Sequence, residues 1–97
     1  MLQITIIKNV LLKKDRIMER NEVFEKVYKI FIDVLEIDDL VITDQSTANE
    51  IDEWDSLAHI RLVVAIERGF KIHFSSKEIQ SWDNVGEMID CIHNKVQ

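Results

Sequence analysis

From Asn21 onward, apolar residues return every three or four positions: Val23, Phe24, Val27, Tyr28, Phe31, Val34 and Leu35, with Glu22, Glu25, Lys26, Lys29 and Asp33 between them. That spacing predicts an amphipathic helix of about four turns, with Asn21 as its N-cap. Residues 36–55 lose the period and fill with Asp38, Asp39, Asp44, Gln45, Ser46, Thr47 and Asn49. Ile37, Leu40, Ile42 and Ile51 recur through this stretch, so it reads as a long loop packed on a core; loops of that length are uncommon and often functional. A second helix is predicted from about Ser56 to Arg68, closed by Gly69 as its C′ residue. It carries two apolar stripes, Leu62, Val63 and Ile66 on one and Leu57, Ile60 and Val64 on the other. One stripe suffices for a core, which leaves the second for another helix or for a partner. Ser75-Ser76-Lys77-Glu78 forms a capping box for a short third helix. Asn84 repeats the cap logic, and Val85, Met88, Ile89, Ile92 and Val96 give a last helix one apolar stripe.

Composition agrees with an all-α domain. The 97 residues include no proline, two glycines and one cysteine, which leaves no room for a glycine-rich phosphate loop or a turn-dense β fold. The lone Cys91 excludes an intramolecular disulfide and fits a reducing, cytoplasmic setting. A net charge of −6 argues against nucleic acid, whose binders need a basic face. The charge is unevenly spread. Residues 1–17 carry Lys8, Lys13, Lys14 and Arg16 against Asp15, while residues 18–97 hold eight basic and seventeen acidic groups, a net −9.

The basic head is too short to span a bilayer. Its charges follow the apolar stretch Leu2–Ile7, the wrong order for a signal peptide, and it lacks the cationic face of an interfacial helix; no membrane role is expected. Met18-Glu19-Arg20-Asn21 resembles a start, and Lys14-Asp15 can be encoded as AAG-GAT, a purine-rich ribosome-binding sequence. Residues 1–17 are therefore read either as a translated leader or as an N-terminal helix, with Ile7, Val10 and Leu11 on one face. As a helix it would offer a route to dimerisation for an otherwise monomeric domain at 18–97.

The chemistry gathers where the acidic loop turns into the second helix. A serine at Ser56 would sit at the positive end of a helix dipole, where backbone N–H groups stabilise a phosphate ester. Taken alone, Ser56 or Asp55 is as well explained as an N-cap. The wider pattern adds more: Glu53-Trp54-Asp55-Ser56-Leu57-Ala58-His59-Ile60, Val64-Ala65-Ile66-Glu67, Phe70-Lys71-Ile72 and Asn84-Val85-Gly86-Glu87-Met88-Ile89. Together these resemble the acyl carrier protein family, from about Met18 to Lys95. The resemblance implies a four-helix acyl-carrier-like bundle that is not an enzyme. It implies a 4′-phosphopantetheine arm, taken from coenzyme A by a separate phosphopantetheinyl transferase using magnesium and attached to Ser56. It also implies acyl-loading and acyl-transfer enzymes as partners, with Asp55 helping to dock the transferase and Leu57, Ile60 and Val64 facing enzymes. Ser56 has no base beside it in sequence, in keeping with activation from outside.

Departures from the family pattern bear on the pathway. Fatty-acid-type carriers place acids along the second helix; here the positions are Ala58, Arg61 and Arg68, with Glu67 retained. The charges from Asp55 to Arg68 cancel, which favours a specialised pathway over bulk fatty-acid synthesis. Arg61 and Arg68 accordingly join the expected partner surface. Peptide-synthetase carriers differ before the serine, where Trp54-Asp55 does not match. The reading from a different class is a helical adaptor of the same fold with no prosthetic group. A calcium loop over Asp44, Ser46, Glu50, Asp52 and Asp55 fails on Asn49 at the turn and Asp55 at the last ligand position. His59, His73 and His93 lack metal-ligand spacing, so no metal is expected. His59 reads as a satisfied core-edge residue, Cys91 as a half-buried thiol, and Trp82 as an anchor from surface to core. Trp54 is left to brace the turn before Ser56 or to meet a partner. The aromatics Phe24, Tyr28, Phe31, Phe70 and Phe74 are assigned to the core.

Overall fold

The computed structural model describes residues 18–97, and the leader-or-helix question for residues 1–17 lies outside them. Four helices follow in order: α1 (Arg20–Leu35), α2 (Ser56–Phe70), α3 (Ser76–Ser81) and α4 (Val85–Lys95), with a 3₁₀ turn at Ala48–Glu50 in the long α1–α2 loop. This is the expected all-α bundle with a long first loop and a short third helix.

Each periodic stripe becomes a buried face. Val23, Val27, Phe31 and Leu35 of α1 meet Ala58, Leu62, Ile66 and Phe70 of α2 and Val85, Met88, Ile89 and Ile92 of α4. The long loop closes the core from one side through buried Leu40 and Ile42, with Ile37 and Ile51 packed against it. Phe31 and Phe70 are core residues, whereas Phe24, Tyr28 and Phe74 lie half-buried against it. The Tyr28 hydroxyl donates to the Leu40 carbonyl and pins the loop to α1.

Three helix ends differ from expectation. The N-cap of α1 is Glu19, not Asn21, and the Glu22 carboxylate accepts the Glu19 N–H at 2.8 Å. A reciprocal acidic capping box thus starts the helix two residues early. Gly69 does not close α2; the helix runs on to Phe70, and Lys71 takes the left-handed conformation at φ 58°. The reason is packing. Phe70 must reach the core, and Gly69 faces α1, where a Cβ would stand 3.3 Å from Ile30 Cδ1, so Gly69 lies within the α1–α2 contact instead of closing the helix. The short α3 ends at Ser81, beyond the expected Ile79, where the Ser81 hydroxyl donates to the Glu78 carbonyl.

Gly86 is the more closely packed of the two glycines. Its N–H donates to the Asp44 carbonyl at 2.8 Å, and the Val85 N–H donates to the Ser46 carbonyl at 2.9 Å. The loop backbone therefore lies across the first turn of α4. Arg20 clamps the junction from α1, with an ion pair to Asp44 at 3.1 Å, another to Asp90 at 2.7 Å and a hydrogen bond to the Gly86 carbonyl at 3.1 Å. Asp44 and Ser46, two members of the weighed calcium loop, are thus engaged in anchoring; the Ser46 Oγ accepts the Thr43 N–H at 2.9 Å. At the other end, the Met18 carbonyl accepts from the Gln97 amide at 3.3 Å and lies 3.0 Å from His93 Nε2, joining the start of the bundle to its last helix.

Candidate attachment site at the start of helix α2

The anchored loop delivers the chain to α2 through Trp54. Its ring is buried and packs edge-on against Phe31 of α1, centroids 4.9 Å apart. Trp54 therefore braces the turn and is not left for a partner. Its Nε1–H donates to His59 Nδ1 at 3.1 Å, one turn into α2, and the two rings stack. This bond fixes the geometry of the intervening residues from both sides.

Between these two rings lie the candidate residues. Asp55 is the N-cap, in extended conformation, and its carboxylate accepts the Ala58 N–H at 2.8 Å. Ser56 is consequently the first residue of the helix, not its cap. Its side chain is exposed, and among the described residues the hydroxyl engages no other group. The Ala58 and His59 N–H groups are taken by Asp55, while those of Ser56 and Leu57 find no acceptor among the described residues. An anion carried on the Ser56 oxygen would thus stand before unpaired donors at the positive end of a helix of 15 residues.

The surplus stripe on α2 is outward. Leu57 is 65% exposed, Ile60 60% and Val64 41%, and they form one apolar track running from Ser56. Leu62, Val63 and Ile66 are buried, as the second stripe requires. Arg61 and Arg68 are exposed beside the track. Glu67 is not part of this surface in the way its sequence position implied: it is half-buried, and its carboxylate accepts the Phe74 N–H at 2.9 Å, tying the α2–α3 connection. Asp55, although it caps the helix, is exposed as well, so the outward charge of α2 comes from Arg61 and Arg68 along the track and from Asp55 at its start.

His59 is half-buried, and burial lowers its pKa from the ordinary 6.5; a neutral ring is also what the Trp54 bond requires, since Nδ1 must accept. Cys91 is half-buried as expected, and burial raises its thiol above the ordinary range. The neighbouring Trp82 N–H is buried without an acceptor at hydrogen-bond distance among the described residues. His59, Trp82 and Trp54 come together at a cleft with Thr47, Asn49 and Asn84, a grouping that sequence spacing did not announce. Near Ser56 the sequence offers only the rings of Trp54 and His59, and Trp82 comes from a distant segment. Among the described residues no cluster of His, Cys, Asp and Glu has the geometry of a metal site, and no helix is long and apolar enough to cross a membrane.

Comparison with known proteins bears on the same segment. Residues 25–92 match the family described as phosphopantetheine attachment site. The chain is 32% identical over 80 residues to an acyl carrier protein of Thermosynechococcus vestitus, covering 81% of this chain and 98% of that one. It is 35% identical over 80 residues to an acyl carrier protein of Guillardia theta, with the same coverage. In structure it resembles the holo acyl carrier protein of Geobacter metallireducens, with a TM-score of 0.71 at 39% identity, covering 74% of this chain and 83% of that one.

Proposed function

The chain belongs to the acyl carrier protein family and contains its phosphopantetheine attachment domain, and from that premise we propose that Ser56 bears a 4′-phosphopantetheine arm on which acyl groups are carried as thioesters between enzymes. The observation that carries this reading is the placement of Ser56. It is exposed, first in its helix, free of hydrogen bonds to described groups, and held by a loop locked through Trp54 and Gly86. The residues fit the group. Two free N–H donors and the helix dipole would hold the phosphodiester charge, and the Leu57–Ile60–Val64 track would lie against an enzyme. The arm supplies a thiol for thioester exchange.

Ser56 does no chemistry by itself. No base lies against its hydroxyl, and the nearest imidazole, His59, has its Nδ1 committed to Trp54. A phosphopantetheinyl transferase would therefore supply the base that takes the hydroxyl proton, and the metal, while Ser56 Oγ bonds to the pantetheine-bearing phosphorus of coenzyme A and the diphosphate P–O bond breaks, releasing 3′,5′-adenosine diphosphate. The chain is a carrier and not an enzyme on this reading, working in the cytoplasm among acyl-loading and acyl-transfer enzymes. The arginines at 61 and 68, with Glu67 drawn inward, support a specialised pathway over bulk fatty-acid synthesis. Intact mass after co-expression with a broad-specificity transferase tests the attachment. One arm is expected on the natural protein and none on Ser56→Ala. An efficiently modified Ala variant, or a natural protein that no competent transferase modifies, would favour the adaptor of the same fold instead.

A further inference from the structure

Beside Ser56 the bundle surface opens into a cleft of about 230 Å³. Trp54 stands two residues before Ser56 and His59 one helical turn after it, and Trp82 closes the far side. These rings belong to an unbroken aromatic series. Phe31 meets Trp54 at 4.9 Å, Trp54 meets His59 at 6.0 Å, His59 meets Trp82 at 6.5 Å, and Trp82 meets Phe74 at 4.9 Å. The remaining lining is rich in hydrogen-bonding groups. With Nδ1 of His59 accepting from Trp54, the neutral ring keeps its proton on Nε2, a donor left for the cleft. Asn84 uses its carbonyl oxygen to cap α4, which leaves its NH₂ free, and the side chains of Thr47 and Asn49 bond to nothing among the described residues.

This lining discriminates between kinds of cargo. A saturated chain laid there would dry several polar groups without pairing them, which is unfavourable for each. A flat ring would meet indole and imidazole faces and edges, and an oxygen on it would accept from the free donors. The cleft is small, on the scale of a single substituted ring.

We infer that this cleft seats the acyl group carried on Ser56 and favours a small, oxygen-bearing aromatic acyl group over a saturated chain of similar size. The inference rests on the carrier reading above and names its cargo class. The test compares 4-hydroxybenzoyl with octanoyl, each loaded with its arm from the corresponding coenzyme A thioester, after mass spectrometry has verified one arm on Ser56. The two indole N–H signals are followed by nitrogen–proton correlation spectra, and thioester hydrolysis is measured against the same acyl group on free pantetheine. The hydroxybenzoyl form is expected to move the Trp82 signal and to hydrolyse about five- to tenfold more slowly than its free counterpart, the worth of one hydrogen bond to the guest. Octanoyl is expected to do neither, and Trp82→Leu to erase the difference. If that variant fails to fold, the spectra of the natural protein decide. Should no arm attach, the carrier reading fails by itself, and the cleft is then probed in Ser56→Cys with Cys91→Ala. There 4-hydroxybenzoyl- and octanoyl-cysteamine are joined as mixed disulfides, and the same Trp82 signal is read. Equal or larger Trp82 shifts with octanoyl, or none with either cargo, would overturn the inference.

Discussion

Replacing Gly86 with alanine isolates the contact that holds the long loop in place. An alanine Cβ there would stand 3.0 Å from the Asp44 carbonyl oxygen and 3.0 Å from its Cβ. Neither can retreat easily. The carbonyl is held by the Gly86 N–H at 2.8 Å, and the side chain by Arg20 at 3.1 Å. Relief therefore stretches the backbone bond and leaves a buried N–H poorly paired, which costs about 1–3 kcal/mol. Against this stands a helix-propensity gain of at most about 1 kcal/mol for Gly→Ala. The net is a loss of about 1–2 kcal/mol, which for a domain of this size lowers Tm by about 5–15 °C. Gly69 supplies the internal comparison. Its Cβ would meet the ends of two flexible side chains, Ile30 at 3.3 Å and Lys26 at 3.8 Å, and no backbone, so Gly69→Ala keeps most of its propensity gain of about 0.5–1 kcal/mol and should melt a few degrees higher. Thermal melts followed by far-ultraviolet circular dichroism decide between opposite signs. A Gly86→Ala protein melting at or above the natural one would refute the docking argument.

Reversing charge with Arg61→Glu and Arg68→Glu should raise acyl exchange with a fatty-acid-type ketosynthase by about two- to tenfold at low salt and lower it with the native partner. Unchanged rates with both would remove the charge argument, whereas Val64→Asp should weaken both partners, seen as slower transfer with an unaltered dichroism spectrum. Burial holds His59 below its ordinary 6.5, so as pH falls the unfolded chain takes up this proton first. Stability should then decline as pH drops below about 6.5, and His59→Gln should flatten that slope in urea midpoints measured down to about pH 5; an unchanged slope would show that His59 is not its source. A protein beginning at Met18 should retain its helical dichroism and its modification on Ser56, and a large loss of either would assign residues 1–17 to the domain.

The parts of this fold that sequence made legible are those governed by period. The buried face of α1, both stripes of α2 and the stripe of α4 all follow from three- and four-residue spacing, because one helix face either meets the core or does not. Asn84 and Ser75 were legible as caps because their side chains act within three residues. What escaped depends on distant partners. Asn21 is a good capping residue, yet the Glu19–Glu22 pair takes the role. Gly69 has the composition of a helix stop, yet its place against Ile30 and the pull of Phe70 into the core carry α2 onward to a left-handed Lys71. Glu67 looks like an outward acid until Phe74 folds back onto it. The cleft could not be foreseen, since Asn49, His59 and Trp82 come from three separate elements.

Those misplaced details alter the electrostatics of the site. Residues 18–97 carry a net −9, so at long range the domain attracts a basic enzyme surface. That attraction is screened over about 8–10 Å at physiological salt, and at contact a different field takes over. Glu67 is turned inward to Phe74 and the exposed Asp55 lies at the helix start, so along the apolar track itself the flanking charges are Arg61 and Arg68. A partner whose docking rim is strongly basic would be drawn in and then repelled at the seat, whereas a neutral or acidic rim would lose some speed of encounter but lie down on Leu57, Ile60 and Val64 unopposed. On the proposed reading, selection among carrier-dependent enzymes therefore acts after encounter, in the lifetime of the docked complex more than in its rate of formation. Raising salt should accordingly slow the approach of every basic partner while lengthening the stay of the mismatched ones.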